Sequence, residues 1–199
     1  MKKMAVLLFL TGIVAVASPV LAEQRYPLGF GNVAVKVDYF RFTDSDMKDL
    51  DLENGVYVGV EGYVSLLHPN LYFGLESGWA GTSGNLETAG FNVDLDAYYI
   101  PIEFNVKYVF EINPCLTIDV GGGGSANYFN VDVDADGLSG GEDDWIWGGQ
   151  VFSSINYKMG QWFMGANVKY QFTDYIDIAA FRDIRASNFR AGAQVGFIF

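Results

Sequence analysis

The 199-residue sequence predicts an all-β fold, an eight-stranded antiparallel up-and-down transmembrane β-barrel. Three observations carry that expectation. Hydrophobicity alternates with period two in eight segments, the mark of strands with two unlike faces. The connections between segments alternate short and long, as they do in membrane-spanning barrels. Aromatic residues gather at both ends of the apolar faces, where a bilayer has its two interfaces.

Residues 1–22 read as a cleavable export signal. Lys2 and Lys3 form a positive start, residues 5–17 an apolar core, and Val20-Leu21-Ala22 sets small residues where a peptidase cuts. The apolar stretch is short for a spanning helix, and Ser18-Pro19 interrupts its end. Residues 23–199 then form one domain of 177 residues. The 12 basic residues less Lys2 and Lys3 leave 10 against 24 acidic ones, a net charge of −14. Such a chain repels nucleic acid. Cys115 is the single cysteine, so no intramolecular disulfide forms, and a lone thiol in an oxidising compartment is expected to be sheltered.

The strands follow in order near 32–43, 54–66, 71–81, 98–108, 115–129, 145–158, 162–172 and 189–199. In the fourth, Tyr98, Ile100, Ile102, Phe104, Val106 and Tyr108 oppose Tyr99, Pro101, Glu103, Asn105 and Lys107. In the seventh, Trp162, Met164, Ala166, Val168, Tyr170 and Phe172 oppose Phe163, Gly165, Asn167, Lys169 and Gln171. The last sets Phe189, Ala191, Ala193, Val195, Phe197 and Phe199 against Arg190, Gly192, Gln194, Gly196 and Ile198. Short turns are expected at Leu67-His68-Pro69-Asn70, Glu111-Ile112-Asn113-Pro114 and Lys158-Met159-Gly160-Gln161. Longer polar loops are expected near 43–53, 82–92, 130–144 and 173–187. Residues 23–31 read as a short leader.

Volume decides which face is inside. Eight strands enclose a space that side chains just fill, or that holds one small ligand. About five large apolar residues per strand, counted at period two, would not fit there, which excludes a soluble ligand-binding barrel. The opposite faces carry glycines with Lys36, Asp38, Glu61, Glu76, Glu103, Lys107, Asp119, Lys169 and Arg190. Buried charges are costly unless paired, so these nine are expected to form one lumenal network. Phe40, Phe42, Tyr57, Tyr63 and Phe163 share that face as fillers.

Three stretches carry a family likeness. Tyr99-Ile100-Pro101-Ile102 with Lys107-Tyr108-Val109-Phe110 resembles a Pro-containing strand entering a periplasmic turn. Asp119-Val120-Gly121-Gly122-Gly123 resembles the glycine-rich strand that follows it. Phe197-Ile198-Phe199 is similar to the closing signal read by the barrel-insertion machinery, with its glycine displaced to Gly192 or Gly196. On these residues the chain resembles the porin-family small outer-membrane β-barrel domain, akin to OmpA-like and OmpX-like barrels. The resemblance implies a cell outer membrane location, lipid and lipopolysaccharide as surroundings, and a monomer inserted through the Phe199 strand. It implies little chemistry, since such barrels serve as anchors, adhesins, conduits and occasionally enzymes.

Catalysis finds little support. His68 is the single histidine and sits in a turn, and Ser65 lies on the lumenal face, so no nucleophile, base and orienting acid converge. Gly121 to Gly124 lacks the Gly-Lys-Ser/Thr ending of a phosphate loop. The most specific local signal is Asp132, Asp134, Asp136 and Asp143, with Gly137, at the spacing of a twelve-position calcium loop. Against it stand Ser139 at the eighth position, an Asp instead of Glu at the twelfth, and the absence of flanking helices; a solvated acidic loop is the plainer reading. Asp44, Asp46, Asp49, Asp51 and Glu53 add a second acidic segment at the outer mouth. The expected function is therefore a non-enzymatic barrel presenting acidic surface loops, in envelope integrity or adhesion. The alternatives are a narrow conduit for ions or small solutes and, further off, a lipid-modifying enzyme. No cofactor is expected beyond that calcium.

Overall fold

The computed structural model describes residues 26–49, 52–88, 91–135, 138–178 and 181–199. The export segment lies outside them. The elements are β1 (Gly31–Phe42), α1 (Ser45–Asp49), β2 (Asn54–His68), β3 (Leu71–Thr88), β4 (Phe91–Asn113) and β5 (Leu116–Ala135). They continue with β6 (Leu138–Met159), β7 (Trp162–Thr173), β8 (Tyr175–Ile178), β9 (Phe181–Arg185) and β10 (Asn188–Ile198). Eight of the strands close into a barrel in the order β1-β10-β7-β6-β5-β4-β3-β2, and β8 with β9 forms a separate hairpin. The closing seam pairs β1 with β10 from Asn32↔Ile198 to Phe42↔Asn188. Closure leaves no sheet edge in the spanning region, the condition for a β-structure to sit in lipid.

Alternation sorts the side chains as the volume argument requires. On β4, Tyr99, Glu103, Asn105, Lys107 and Val109 are buried inside, while Tyr98, Ile102, Phe104, Val106 and Tyr108 are exposed on the outer wall. Phe104 is 68% exposed and Trp147 72%, values expected of side chains on a wall that faces lipid. Tyr98 and Tyr108 mark the two interfaces on this strand. Ten residues at about 3.3 Å each, tilted about 40°, span ~25 Å, the height of the apolar band of such barrels.

The loops expected at 82–92 and 130–144 are instead mostly strand. β3 runs on to Thr88 and β4 begins at Phe91; β5 runs on to Ala135 and β6 begins at Leu138. Backbone pairing continues from Thr82↔Ala97 to Thr88↔Phe91 and from Asn130↔Asp143 to Ala135↔Leu138. Acidity gives these segments the look of loops, yet their alternation persists with its sense reversed. Below Tyr98 the outer wall is apolar and the inner wall polar. Above it, Asp96 and Asp132 lie outside while Ala97 is buried and Val131 half-buried against the inner cluster. The reversal marks the level at which the surroundings change from lipid to water. In the 173–187 connection the β8–β9 hairpin replaces a loop, and in 43–53 a short helix does.

Glycine is required at two points of β5. A Cβ on Gly121 would meet the Phe152 ring at 2.5 Å, and one on Gly123 would lie 1.8 Å from the Phe104 carbonyl oxygen. The run is thus continuous strand between β4 and β6, where close neighbours exclude side chains, and no phosphate loop. At the β6–β7 turn, Gly160 adopts φ +67°, a left-handed conformation open to glycine without strain.

Cys115 corrects one expectation: the thiol is exposed. It sits in the β4–β5 turn, where Asn113 Oδ1 accepts hydrogen bonds from the backbone amides of Cys115 and Leu116, both at 2.9 Å. That Asx geometry holds the main chain in a tight reversal and turns the side chain off the wall. Short turns face the periplasm in this architecture. A membrane-impermeant maleimide should therefore label Cys115 in cells with a permeabilised outer membrane and in detergent-folded protein. Labelling of intact cells at the same rate would reverse the orientation.

Candidate functional site

Among the described residues, buried polar chemistry is concentrated in the lumen, and strand register assembles it. Pairing sets Glu61 on β2 opposite Glu76 on β3, and Glu76 opposite Glu103 on β4. Three carboxylates thus stand side by side on one wall. Like charges directly opposite destabilise a sheet unless something compensates them. The compensation comes from across the barrel, where Arg190 on β10 pairs in register with Lys169 on β7, next to the β1 wall that carries Lys36.

All nine charged residues singled out in the sequence are buried inside the barrel. From the turn end, Asp119 lies 3.6 Å from Lys107, and Lys107 lies 3.8 Å from Glu61 and 3.8 Å above the Tyr63 ring. Lys36 bridges Glu61 at 3.1 Å and Glu76 at 3.2 Å. Lys169 reaches Glu76 at 2.7 Å and also Glu103; Arg190 reaches Glu76 at 3.5 Å and also Glu103. Tyr57 donates to Glu76 at 3.2 Å and lies under the Arg190 guanidinium. Asp38 accepts a hydrogen bond from Asn167 at 2.9 Å.

Above the charges is an amide layer that sequence reasoning missed. Gln171 accepts from Tyr99 at 2.8 Å, Asn188 at 3.2 Å and Arg190 at 3.3 Å, and donates to Ser125 at 2.8 Å and Asn127 at 3.0 Å. Alternation places Gln171 inside but does not say which polar groups meet across the lumen.

Both mouths are closed by apolar plugs, also unforeseen. At the loop end, Met47 from α1 and Leu52 join Phe40, Phe42, Tyr57, Tyr99, Phe129 and Ile146 in one buried cluster. The Phe40 and Phe42 rings meet edge to face at 4.6 Å. At the turn end, the segment that reads as a leader folds inward. Leu28 is fully buried with Tyr63, Tyr72, Val109 and Phe152. Its amide donates to the Tyr72 hydroxyl at 3.1 Å, which donates to the Gly29 carbonyl at 2.8 Å, and Lys158 Nζ donates to the Pro27 carbonyl at 2.8 Å. The sequence signal was present: Met47 and Leu52 are apolar residues within a mostly acidic connection.

The remaining candidates fall elsewhere. Ser65 donates to the main-chain carbonyl of His68 at 2.8 Å, not to its ring, which accepts from the Asn70 amide at 3.2 Å and stacks beside Tyr108. No nucleophile and base pair is formed there. Asp132 and Asp143 are exposed on neighbouring strands of the β5–β6 hairpin, and Asp132 accepts from the Tyr98 hydroxyl at 2.9 Å. The Asp134 side chain and Asp136 lie outside the described residues. The stretch spaced like a calcium loop therefore runs out and back as two paired strands. Among the described residues no three His, Cys, Asp or Glu side chains converge to hold a metal ion. In the first connection Asp44 and Glu53 are described. A hydrogen bond from Asn54 and the guanidinium of Arg41 hold the Glu53 carboxyl below the usual carboxylate range. The Asp46 and Asp49 side chains and Asp51 lie outside the described residues.

Removing one partner of a buried pair strands the other charge at a cost of about 3–5 kcal/mol. Lys169→Met leaves Glu76 and Glu103 facing each other with one bridging cation fewer. It should lower unfolding stability by about that amount, read from urea titration of the folded gel band. Glu53→Gln, which breaks the exposed Arg41–Glu53 pair, should leave the same urea midpoint almost unmoved, because water and salt screen that pair.

Known proteins share this architecture. The chain is similar to Neisserial surface protein A, at 14% identity and a TM-score of 0.59, covering 86% of this chain and 98% of that one. It is similar to the outer membrane protein OprG from Pseudomonas aeruginosa, at 11% identity and a TM-score of 0.55, covering 88% and 100%. A major outer membrane protein from Thermus thermophilus matches at 13% identity and a TM-score of 0.50, covering 84% and 99%. At these identities the likeness is one of fold. None of the curated proteins matches the sequence. The model of the outer membrane protein beta-barrel domain matches residues 5–197, and the chain belongs to that family of the cell outer membrane.

Proposed function

We propose that this protein is a non-enzymatic, non-conducting barrel that anchors acidic segments at the cell surface, in envelope integrity or surface interaction. The observation that carries the reading is the sealed lumen. Leu28 with its aromatic neighbours fills one mouth, and Met47 and Leu52 with theirs fill the other. Between the plugs, ion pairs from Lys169 and Arg190 cross from wall to wall to Glu76. Eight strands leave little bore even before such filling. With the middle filled by these side chains, what the barrel offers is its outer surface: an apolar band for lipid, and beyond it strands that carry Asp96, Asp132 and Asp143 into water.

Among the described residues, Ser65 and the His68 ring each engage other partners and form no base and nucleophile pair, which supports the non-enzymatic part. The likeness to a protein named as a surface protein agrees with display at the surface. The rival conduit is separated by planar-bilayer recording of the folded full-length domain. Silence at physiological salt is the expected result. Reproducible unit steps, larger when Leu28→Ala and Met47→Ala open the mouths, would favour the conduit.

A further inference from the structure

A hollow of about 720 Å³ interrupts the outer wall. It lies mainly on β6, β7, β10 and β1, in the half of the barrel nearer the short turns. Its size falls within the roughly 300–1,000 Å³ typical of small-ligand sites. Register creates it. Ala193 on β10 pairs with Ala166 on β7, so two single-methyl side chains stand side by side, both exposed. Two residues closer to the turns, Met164 pairs with Val195. Ile155 on β6 flanks Ala166, and Val37 on β1 flanks Ala193. Four larger side chains thus stand around a floor that the two alanines leave low.

The position of the hollow indicates its occupant. All six of these side chains belong to the wall that faces lipid, so the hollow continues that interface. Beyond Met164 and Val195, again two residues toward the turns, Trp162 pairs with Phe197 and their rings meet edge to face at 5.3 Å. Trp162 is exposed, and rings of this kind mark the level of lipid head groups. Two residues of strand cover about 7 Å. The hollow therefore opens just inside the level where acyl chains begin.

Apolarity alone retains nothing within a bilayer, because acyl chains are as apolar as the wall they touch. Shape makes the difference. A chain lying on a convex wall meets protein on one side. A chain lying on Ala166 and Ala193 also meets their taller neighbours, and every close pair of carbon atoms adds dispersion attraction. A second barrel presents a convex wall of its own, with strands fixed about 4.8 Å apart, and reaches that floor only with single side chains. A polymethylene chain bends to follow it. We propose that this hollow is a binding site for one acyl chain of a phospholipid, held there while chains around the rest of the barrel exchange freely.

Native mass spectrometry tests this on the full-length barrel, folded into vesicles of phosphatidylethanolamine and phosphatidylglycerol and extracted in a mild detergent. Wild type should carry one phospholipid. Ala166→Leu with Ala193→Leu raises the floor with side chains suited to a lipid-facing wall; it should fold and lose that lipid. Ala193→Leu alone should lose part of it. Val106→Phe, on the outer wall of β4, should keep it. A wild type that carries no lipid overturns the proposal, whatever the variants do. An undiminished adduct in either alanine variant overturns it as well. A two-chain mass in wild type that falls to one chain in those variants overturns it in favour of a second copy.

Discussion

Attraction across the lumen is the interaction on which the rest of this barrel depends. Register aligns Glu61, Glu76 and Glu103 on adjacent strands, an arrangement that repels itself within the sheet. Lys169 and Arg190 come from across the lumen, and Lys36 from the strand beside Glu61, and together they make that row tolerable. Strands far apart in sequence, β7 and β10 against β3 and β4, are thereby tied through the interior as well as around the ladder. A buried ionic core is weak evidence for stability against a hydrophobic one. In a barrel wetted by lipid outside, however, polar side chains have nowhere else to go.

The same reasoning connects the wall to the function. Lipid sets the polarity of the outer face between Tyr98 and Tyr108, and water sets it beyond, so one strand can change the sense of its amphipathicity without changing its period. The strands that run past the membrane carry acidic residues outward and apolar ones inward, onto the cluster that closes the mouth. The plug and the acidic display are therefore two faces of one extension. The interior is filled at its two ends by the clusters of Met47 and Leu52 above and Leu28 below.

Much of this is legible in the sequence because period two is a local property. Alternation finds the eight strands, and volume decides their orientation, which places Lys36, Glu76 and Arg190 inside. Register, however, depends on how many residues each strand slips against the next, and no local pattern encodes that. The carboxylate row and the Gln171 layer are hidden for this reason. The extensions of β3 to β6 are hidden for another: their aspartates read as loop, although Asn92, Asp94 and Asp96 alternate with Val93, Leu95 and Ala97 as regularly as any strand below. Leu28 is hidden because a single apolar residue in a short leader has no period. Cys115 departs from the sheltered expectation because compartment chemistry says nothing about turn geometry.

Attraction across the lumen requires that the bulky apolar face meet lipid and the small, ionic face meet the interior. Nitroxide labels placed singly along β4 from position 98 to 108, in a Cys115→Ser barrel folded into lipid bilayers, test that assignment directly. Collision with oxygen should be high and with a water-soluble nickel chelate low at 100, 102, 104 and 106, with both low at 101, 103 and 105. Equal access for the two reagents at every position, or oxygen access at the odd positions, would contradict it.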